Sequence, residues 1–121
     1  MTLIDSILLT VKNQLGIVEE YSHFDDQLIL IINTIFSTLE QIGVPKEGFQ
    51  ITDETAMWDD YTEDPTLQSL VKAYVYAKTR LIFDPPSSGS LMESLTKLAA
   101  EYEWRINVMV DPSKPKPEEG M

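Results

Sequence analysis

Residues 64–86, DPTLQSLVKAYVYAKTRLIFDPP, form a segment whose two ends are marked in the sequence itself. Asp64 followed by Pro65 predicts a helix start, because an acidic side chain caps free N–H groups and proline fits the first helical position. Pro85 and Pro86 predict its end, because proline lacks an N–H and disfavours helical geometry in the residue before it. Between these ends, apolar residues recur at the spacing of one buried helix face: Leu67, Leu70, Val71, Tyr74, Ala77 and Leu81.

The residues after this helix predict an antiparallel partner. Asp84, Pro85 and Pro86 form a stiff structural elbow, and the serines and glycine that follow allow a turn. Ser90 stands at the spacing of a capping box, so the next helix is expected over about residues 90–108. Its inward positions are predicted from the apolar spacing: Leu91, Leu95, Leu98, Tyr102 and Ile106.

Two more helical patterns lie in the first third of the chain. The first covers about residues 3–15, and the second covers about residues 24–42, where apolar side chains recur by fours and threes. Gly43 is placed to end the second helix in a left-handed turn. Residues 44–64 hold short apolar pieces among many acids, which predicts an acidic loop or a small hairpin.

These elements predict a mainly α fold, a small bundle of about four helices in one domain. We expect the helical domain over residues 1–110 and a flexible, disordered, proline-rich tail over residues 111–121. No apolar run approaches the ~20 residues of a membrane span. The first five residues lack the basic side chains of a signal peptide, so neither a membrane nor a secretory route is expected.

The chain carries 20 acidic and nine basic side chains, which gives a formal net charge of −11. Such a surface repels phosphate backbones, which argues against ordinary nucleic-acid binding. Three roles for the acidic surface remain open. It confers solubility, it pairs with a basic protein, or it lines a passage through which DNA slides without sticking.

The residue inventory argues against catalysis. The chain has no cysteine, which excludes a thiolate site, and its single histidine, His23, argues against a zinc site or a catalytic triad. Residues 53–64 hold six acids and no base, but they lack the ligand pattern of a calcium loop. We therefore expect no enzyme activity, no cofactor and no metal site.

Two interpretations of the acidic segment remain open. It is either a solvated loop or an interaction loop, with Trp58 as an exposed aromatic anchor beside Asp59 and Asp60.

Four other side chains lie off the predicted apolar stripes. Tyr76 and Arg80 fall away from the main stripe of their helix, and Trp104 and Arg105 fall beside the stripe of the last helix. Arginine and aromatic residues are enriched at interfaces, so all four are candidates for contact with another subunit. The alternative is that Trp104 is an ordinary half-buried tryptophan and that the two arginines are solvated, since surface ion pairs contribute little to stability.

The run YVYAKTRLIFDPP at residues 74–86, followed by Glu103-Trp104-Arg105, resembles the head–tail connector, or head-completion, proteins of tailed bacteriophages and prophages. The opening is similar to theirs as well, with NQLGI at residues 13–17 and FDDQL at residues 24–28 leading into a long apolar helix. The similarity covers about residues 3–108 and leaves out the tail.

The resemblance implies a virion structural protein without a cofactor, which assembles at the head–tail junction in the host cytoplasm. Its subunits form a ring of about twelve copies that docks on the portal and extends the DNA channel towards the tail. The implied partners are further copies of itself, the portal protein and a tail-side completion protein, and DNA only passes through. The alternative is a small acidic binding module that regulates or inhibits a basic protein.

Overall fold

The computed structural model describes residues 5–111, which contain five helices and no strand. The helices are α1 Ile7–Gln14, α2 Asp25–Gln41, α3 Trp58–Tyr61, α4 Pro65–Phe83 and α5 Gly89–Val110. The predicted mainly α class is therefore confirmed, with one short helix more than expected. The tail predicted for residues 111–121 lies outside the described residues except for Asp111, which follows α5 as its C-cap.

The central helix of the bundle is α4, which contacts α1, α2 and α5. Both of its predicted ends are confirmed. The Asp64 carboxylate accepts hydrogen bonds from the backbone N–H groups of Thr66 (3.0 Å) and Leu67 (3.4 Å), and the helix stops at Phe83, just before the elbow. An acceptor at this position satisfies N–H groups that have no partner within the helix.

Long-range backbone pairing explains why α1 begins at Ile7 and not near residue 3. Ser6 is extended and caps the helix through its hydroxyl, which accepts from the Leu9 N–H at 3.2 Å. On either side of Ser6, the Ile7 N–H donates to the Ala56 carbonyl and the Trp58 N–H donates to the Asp5 carbonyl. These bonds hold Asp5 and Ser6 outside the helix, so α1 begins at Ile7; residues 3 and 4 of the predicted helix lie outside the described residues.

The last helix begins at Gly89, two residues earlier than a capping box at Ser90 predicts. Its cap is Ser88, whose hydroxyl accepts from the Leu91 N–H at 3.4 Å. The end of α2 is as expected: Gly43 follows it with φ +114°, a conformation that favours glycine.

Residues 44–64 do not form the small hairpin that was one of the two predictions. Asn33 on α2 instead holds this segment: its amide donates to the Ile51 carbonyl at 2.9 Å and accepts from the Ile51 N–H at 2.8 Å. The Ser6 hydroxyl donates to the Glu54 carbonyl at 2.7 Å and so attaches the segment to the start of α1 as well. The segment is therefore an ordered loop that leads into α3, with its acids outside.

Aromatic side chains form one end of the core. Phe36 packs against Phe49, Trp58 and Tyr61, with ring centroids 4.7–6.3 Å apart. Edge and tilted contacts at such distances are favourable arrangements for aromatic rings. Within residues 5–111, none of the helices combines the length and hydropathy that crossing a membrane requires.

Candidate subunit interface

The two halves of α5 have different neighbours. The C-terminal half is tied to the rest of the bundle. The Tyr74 hydroxyl donates to the Glu103 carboxylate at 2.8 Å, and the Asn107 amide donates to the Ile42 carbonyl at 3.1 Å. Ile106 is fully buried. This half of the helix is therefore part of the folded core.

The N-terminal half of α5 leaves its leucines uncovered. Leu91 is 60% exposed and Leu98 is 42% exposed, while Leu95 is half-buried. The prediction that these three residues face the core is wrong for Leu91 and Leu98. Among the described helices, only α4 packs extensively on α5, so no other helix of residues 5–111 covers the second side of the leucine stripe.

These leucines form one wall of a groove of about 370 Å³ between α4 and α5. Tyr76 and Arg80 of α4 form the other wall, and Pro86 of the elbow closes one end. We refer to the surface formed by these side chains as the α4–α5 groove: Tyr76, Arg80, Pro86, Leu91, Ser94, Leu95 and Leu98. It is apolar along α5 and carries a cation on α4.

The elbow and Arg80 hold each other in place. The Arg80 Nε donates to the Asp84 carbonyl at 2.6 Å, and its Nη1 donates to the Tyr76 hydroxyl at 3.3 Å. The Asp84 carboxylate lies 3.8 Å from the same guanidinium. Three of the predicted residues, Tyr76, Arg80 and Asp84, are thus joined, and Tyr76, Arg80 and Pro86 line the groove.

The three candidates in the acidic segment lie elsewhere, and one of them needs correction. Trp58 is 1% exposed, so it cannot be the exposed anchor of an interaction loop; it packs in the core with Lys72 5.7 Å from its ring. Asp59 and Asp60 are exposed, but both make local bonds. Asp59 accepts from the Gln68 amide at 3.0 Å, and Asp60 accepts from the Met57 N–H at 2.8 Å. Their carboxylates therefore stabilise the start of α3 and its contact with α4.

Trp104 and Arg105 lie on the C-terminal half of α5, away from the groove. Trp104 is half-buried. Arg105 is exposed and bonds to Glu101 one turn earlier, at 2.6 Å through Nη2 and 2.9 Å through Nε. The structure does not place this pair with Tyr76 and Arg80, so its role in an interface stays a prediction.

The clearest pKa shifts belong to two buried tyrosines and to one aspartate that accepts local hydrogen bonds. Burial raises the pKa of Tyr74 above its ordinary value, and the hydrogen bond to Glu103 adds to that shift. Burial alone raises the pKa of Tyr61. The Thr55 hydroxyl and N–H lower the pKa of Asp53 by bonding to its carboxylate. Each shift follows from packing or from a local turn, and none creates an acid–base pair.

Residues 5–111 contain no group of three or more His, Asp or Glu side chains arranged to hold a metal ion. The acids are nevertheless unevenly distributed. Residues 5–64 carry 13 acidic and two basic side chains, a net charge of −11, whereas residues 65–110 carry four acidic and five basic ones, a net charge of +1. The α4–α5 hairpin is therefore nearly neutral beside a strongly acidic body.

Among the residues that line the groove, the sequence singled out Tyr76, Arg80 and Pro86, but it assigned Leu91 and Leu98 to the core. A signal for Leu91 was available. It stands two positions after the start of α5, where an antiparallel hairpin offers only its own elbow as a neighbour.

Comparison with known proteins agrees with the motifs on α4 and α5. The chain matches the family described as "Phage connector protein" over residues 7–113, which spans all five helices. No curated protein and no solved structure matches it significantly. The match confirms the resemblance read from the sequence, and it makes the protein a structural component of a phage particle that associates with other head or tail proteins. The chain belongs to the phage connector protein family.

Proposed function

We propose that the protein is a subunit of a head–tail connector ring of about twelve copies, closed by repeated head-to-tail contacts. The ring docks on the portal after DNA packaging, extends the DNA channel, and presents its far side to a tail-side completion protein. The observation that carries this proposal is the uncovered α4–α5 groove in a chain of this family.

The groove supports an assembly role on physical grounds. Leu91 and Leu98 expose apolar surface next to the half-buried Leu95. A clustered apolar patch rimmed by polar groups is typical of a protein interface, because covering it removes apolar area from water. A subunit that functions within an assembly can carry such a surface, because a neighbouring chain covers it there.

The charge distribution supports a role around DNA. Residues 5–64 carry the whole net charge of the described chain, and their acids are mostly exposed. Acidic side chains facing a channel repel the phosphate backbone, so DNA passes without being held.

Binding to the portal is the direct test. Portal complexes of the phage that encodes the chain are mixed with purified protein, and their mass and shape are followed by mass photometry and electron microscopy. We expect a ring of added density with a stoichiometric gain in mass. Portal complexes that never bind the wild-type chain, together with particles that lack it, would overturn the proposal.

Two exposed leucines provide a matched pair for this test. Leu98 lines the groove, whereas Leu30 is exposed at 68% on α2, outside it. We expect Leu98→Glu to prevent assembly on the portal and Leu30→Glu to leave it unchanged. Equal losses in the two variants would mean that assembly does not depend on the groove.

The second candidate function is an acidic module that covers a basic protein. The observation in its favour is the net charge of −11 on residues 5–64. Capture of a basic non-structural partner, released by moderate salt, would favour this function over the ring.

A further inference from the structure

The loop between α1 and α2 exposes apolar side chains next to acids. Val18 is 64% exposed and Tyr21 is 48% exposed, and Glu19 and Glu20 stand between them. Residues 13–45 contain no lysine or arginine, and Lys12 just before them is buried, so no exposed lysine or arginine adjoins this loop in the sequence. The loop therefore offers a small apolar surface with a negative rim.

A buried lysine holds this loop in place. Lys12 on α1 is 0% exposed, and its ammonium donates to the Glu19 carbonyl at 2.9 Å and pairs with the Asp25 carboxylate at 2.9 Å. Burying a lysine is costly unless its charge is paired and hydrogen-bonded. Here the ammonium links both sides of the loop, so the loop is fixed before any partner arrives.

Aromatic contacts fix the other end of the loop. The Tyr21 ring lies 5.8 Å from Phe24, and Phe24 packs on Phe83 of α4 with ring centroids 5.1 Å apart. A loop that is already rigid loses little conformational entropy on binding, which favours its use as a docking element.

The α4–α5 groove complements the α1–α2 loop in apolar surface and in charge. One wall is formed by Leu91, Leu95 and Leu98, and the other carries the Arg80 guanidinium, which is bonded to Asp84 and Tyr76 and keeps 31% of its side-chain surface exposed. The hairpin around it has a net charge of +1, against −11 for the part of the chain that contains the loop. Apolar surface and opposite charge thus match between the loop and the groove.

We propose that the α4–α5 groove of one copy receives the α1–α2 loop of a second copy, with Val18 and Tyr21 on the leucines and Glu19 or Glu20 facing Arg80. Two different surfaces of each chain meet in this contact, so it is head-to-tail and propagates from copy to copy. The inference rests on the proposed ring and names the surfaces that close it.

The absence of cysteine makes the contact directly testable by cross-linking. Single variants Val18→Cys and Leu98→Cys are mixed in equal amounts, with and without portal complexes, and treated with a short bismaleimide reagent. Because each chain carries one thiol, a link between the two variants must join two copies. The control mixture replaces Val18→Cys by Leu30→Cys, an equally exposed thiol on α2.

We expect the Val18–Leu98 product to exceed the Leu30–Leu98 product at least about fivefold, because the proposed contact brings only the first pair together. Equal yields, or links from Leu98 to the portal alone, would overturn the proposed contact. Mass photometry of the same samples reports portal binding separately. Rings that bind the portal without the Val18–Leu98 link contradict this contact and leave the proposed function intact.

A charge exchange tests the ionic part of the contact. Arg80→Glu places a like charge against Glu19 and Glu20, and we expect it to weaken association at least about tenfold. Adding Glu19→Lys and Glu20→Lys to the same chain should restore most of that loss. Failure of the triple variant to recover, with the fold intact by circular dichroism, would contradict the assigned partners of Arg80.

Discussion

The two halves of α5 carry one apolar stripe but have opposite roles. From Tyr102 to Val110 the stripe is covered, tied by Glu103 to α4 and by Asn107 to the end of α2. From Gly89 to Leu98 the same stripe lies against α4 on one side only. Helical periodicity shows which side chains share a face, but not whether another element covers that face. The first half of the helix is therefore available for a partner, while the second half holds the subunit together.

Truncating one residue in each half should show the largest contrast. Ile106→Ala removes a fully buried side chain, so we expect the free energy of unfolding to fall by about 2–5 kcal/mol. Leu98→Ala removes a side chain that is 42% exposed, and we expect a loss below about 1 kcal/mol. Urea denaturation followed by circular dichroism measures both. Similar losses would mean that the two halves of α5 are equally buried in solution.

The bond between Tyr74 and Glu103 should contribute the next largest effect. Tyr74→Phe leaves the ring in place and removes the hydroxyl, which we expect to lower the free energy of unfolding by about 1–2 kcal/mol. The matched variant Tyr76→Phe removes a hydroxyl near the groove, and its cost should be smaller because that residue is only half-buried. Urea denaturation at neutral pH compares the two; a larger cost for Tyr76→Phe would contradict the division of α5.

The same tyrosine gives a pH dependence with a definite sign. The pKa of Tyr74 is raised in the folded protein above its ordinary value of 10.0. The phenol therefore stabilises the fold below about pH 10, and this contribution is lost as the pH rises further, because the unfolded chain releases its proton first. Between about pH 9 and pH 11 the wild type should lose more stability than Tyr74→Phe. Parallel losses in urea titrations would show that Tyr74 ionises normally.

The elbow should matter to assembly more than to folding. Pro85 and Pro86 join α4 to α5, and Pro86 lines the groove. Replacing both with alanine frees the backbone at the bend, so we expect weaker assembly on the portal with little change in helix content. Circular dichroism and mass photometry on one preparation separate the two effects. Proportional losses of helix and assembly would show that the prolines serve folding alone.

The smallest effect should come from Arg105. Its bonds to Glu101 join residues of one exposed helical turn, a type of pair that contributes about 0.3–0.5 kcal/mol. Arg105→Ala should therefore leave the urea midpoint almost unchanged. A loss of assembly in this variant, with stability intact, would extend the interface to the second half of α5.

The sequence predicted the features that depend on local chemistry. Asp64 and Pro65 mark the start of α4, the double proline marks its end, and Gly43 ends α2, because each acts through its own backbone geometry. The family was also evident from motifs on α4 and α5, and the match over residues 7–113 confirms it.

What the sequence did not predict depends on contacts between distant residues. Asn33 bonds to Ile51, which lies 18 positions later, and Ser6 bonds to Glu54, which lies 48 positions later. These bonds order the acidic loop and help to bury Trp58, which local patterns assigned to the surface. The exposure of Leu91 and Leu98 is the converse case, in which no second helix among residues 5–111 covers a helical stripe.

Hydrogen–deuterium exchange tests the central claim most directly, that the first half of α5 is an interface left open in the free subunit. Exchange is compared between the free chain and the chain bound to portal complexes, peptide by peptide. We predict that residues 89–98 and 76–80 gain protection on assembly, whereas residues 102–110 are protected in both states. Unchanged exchange at residues 89–98 in a fully assembled ring would contradict the account.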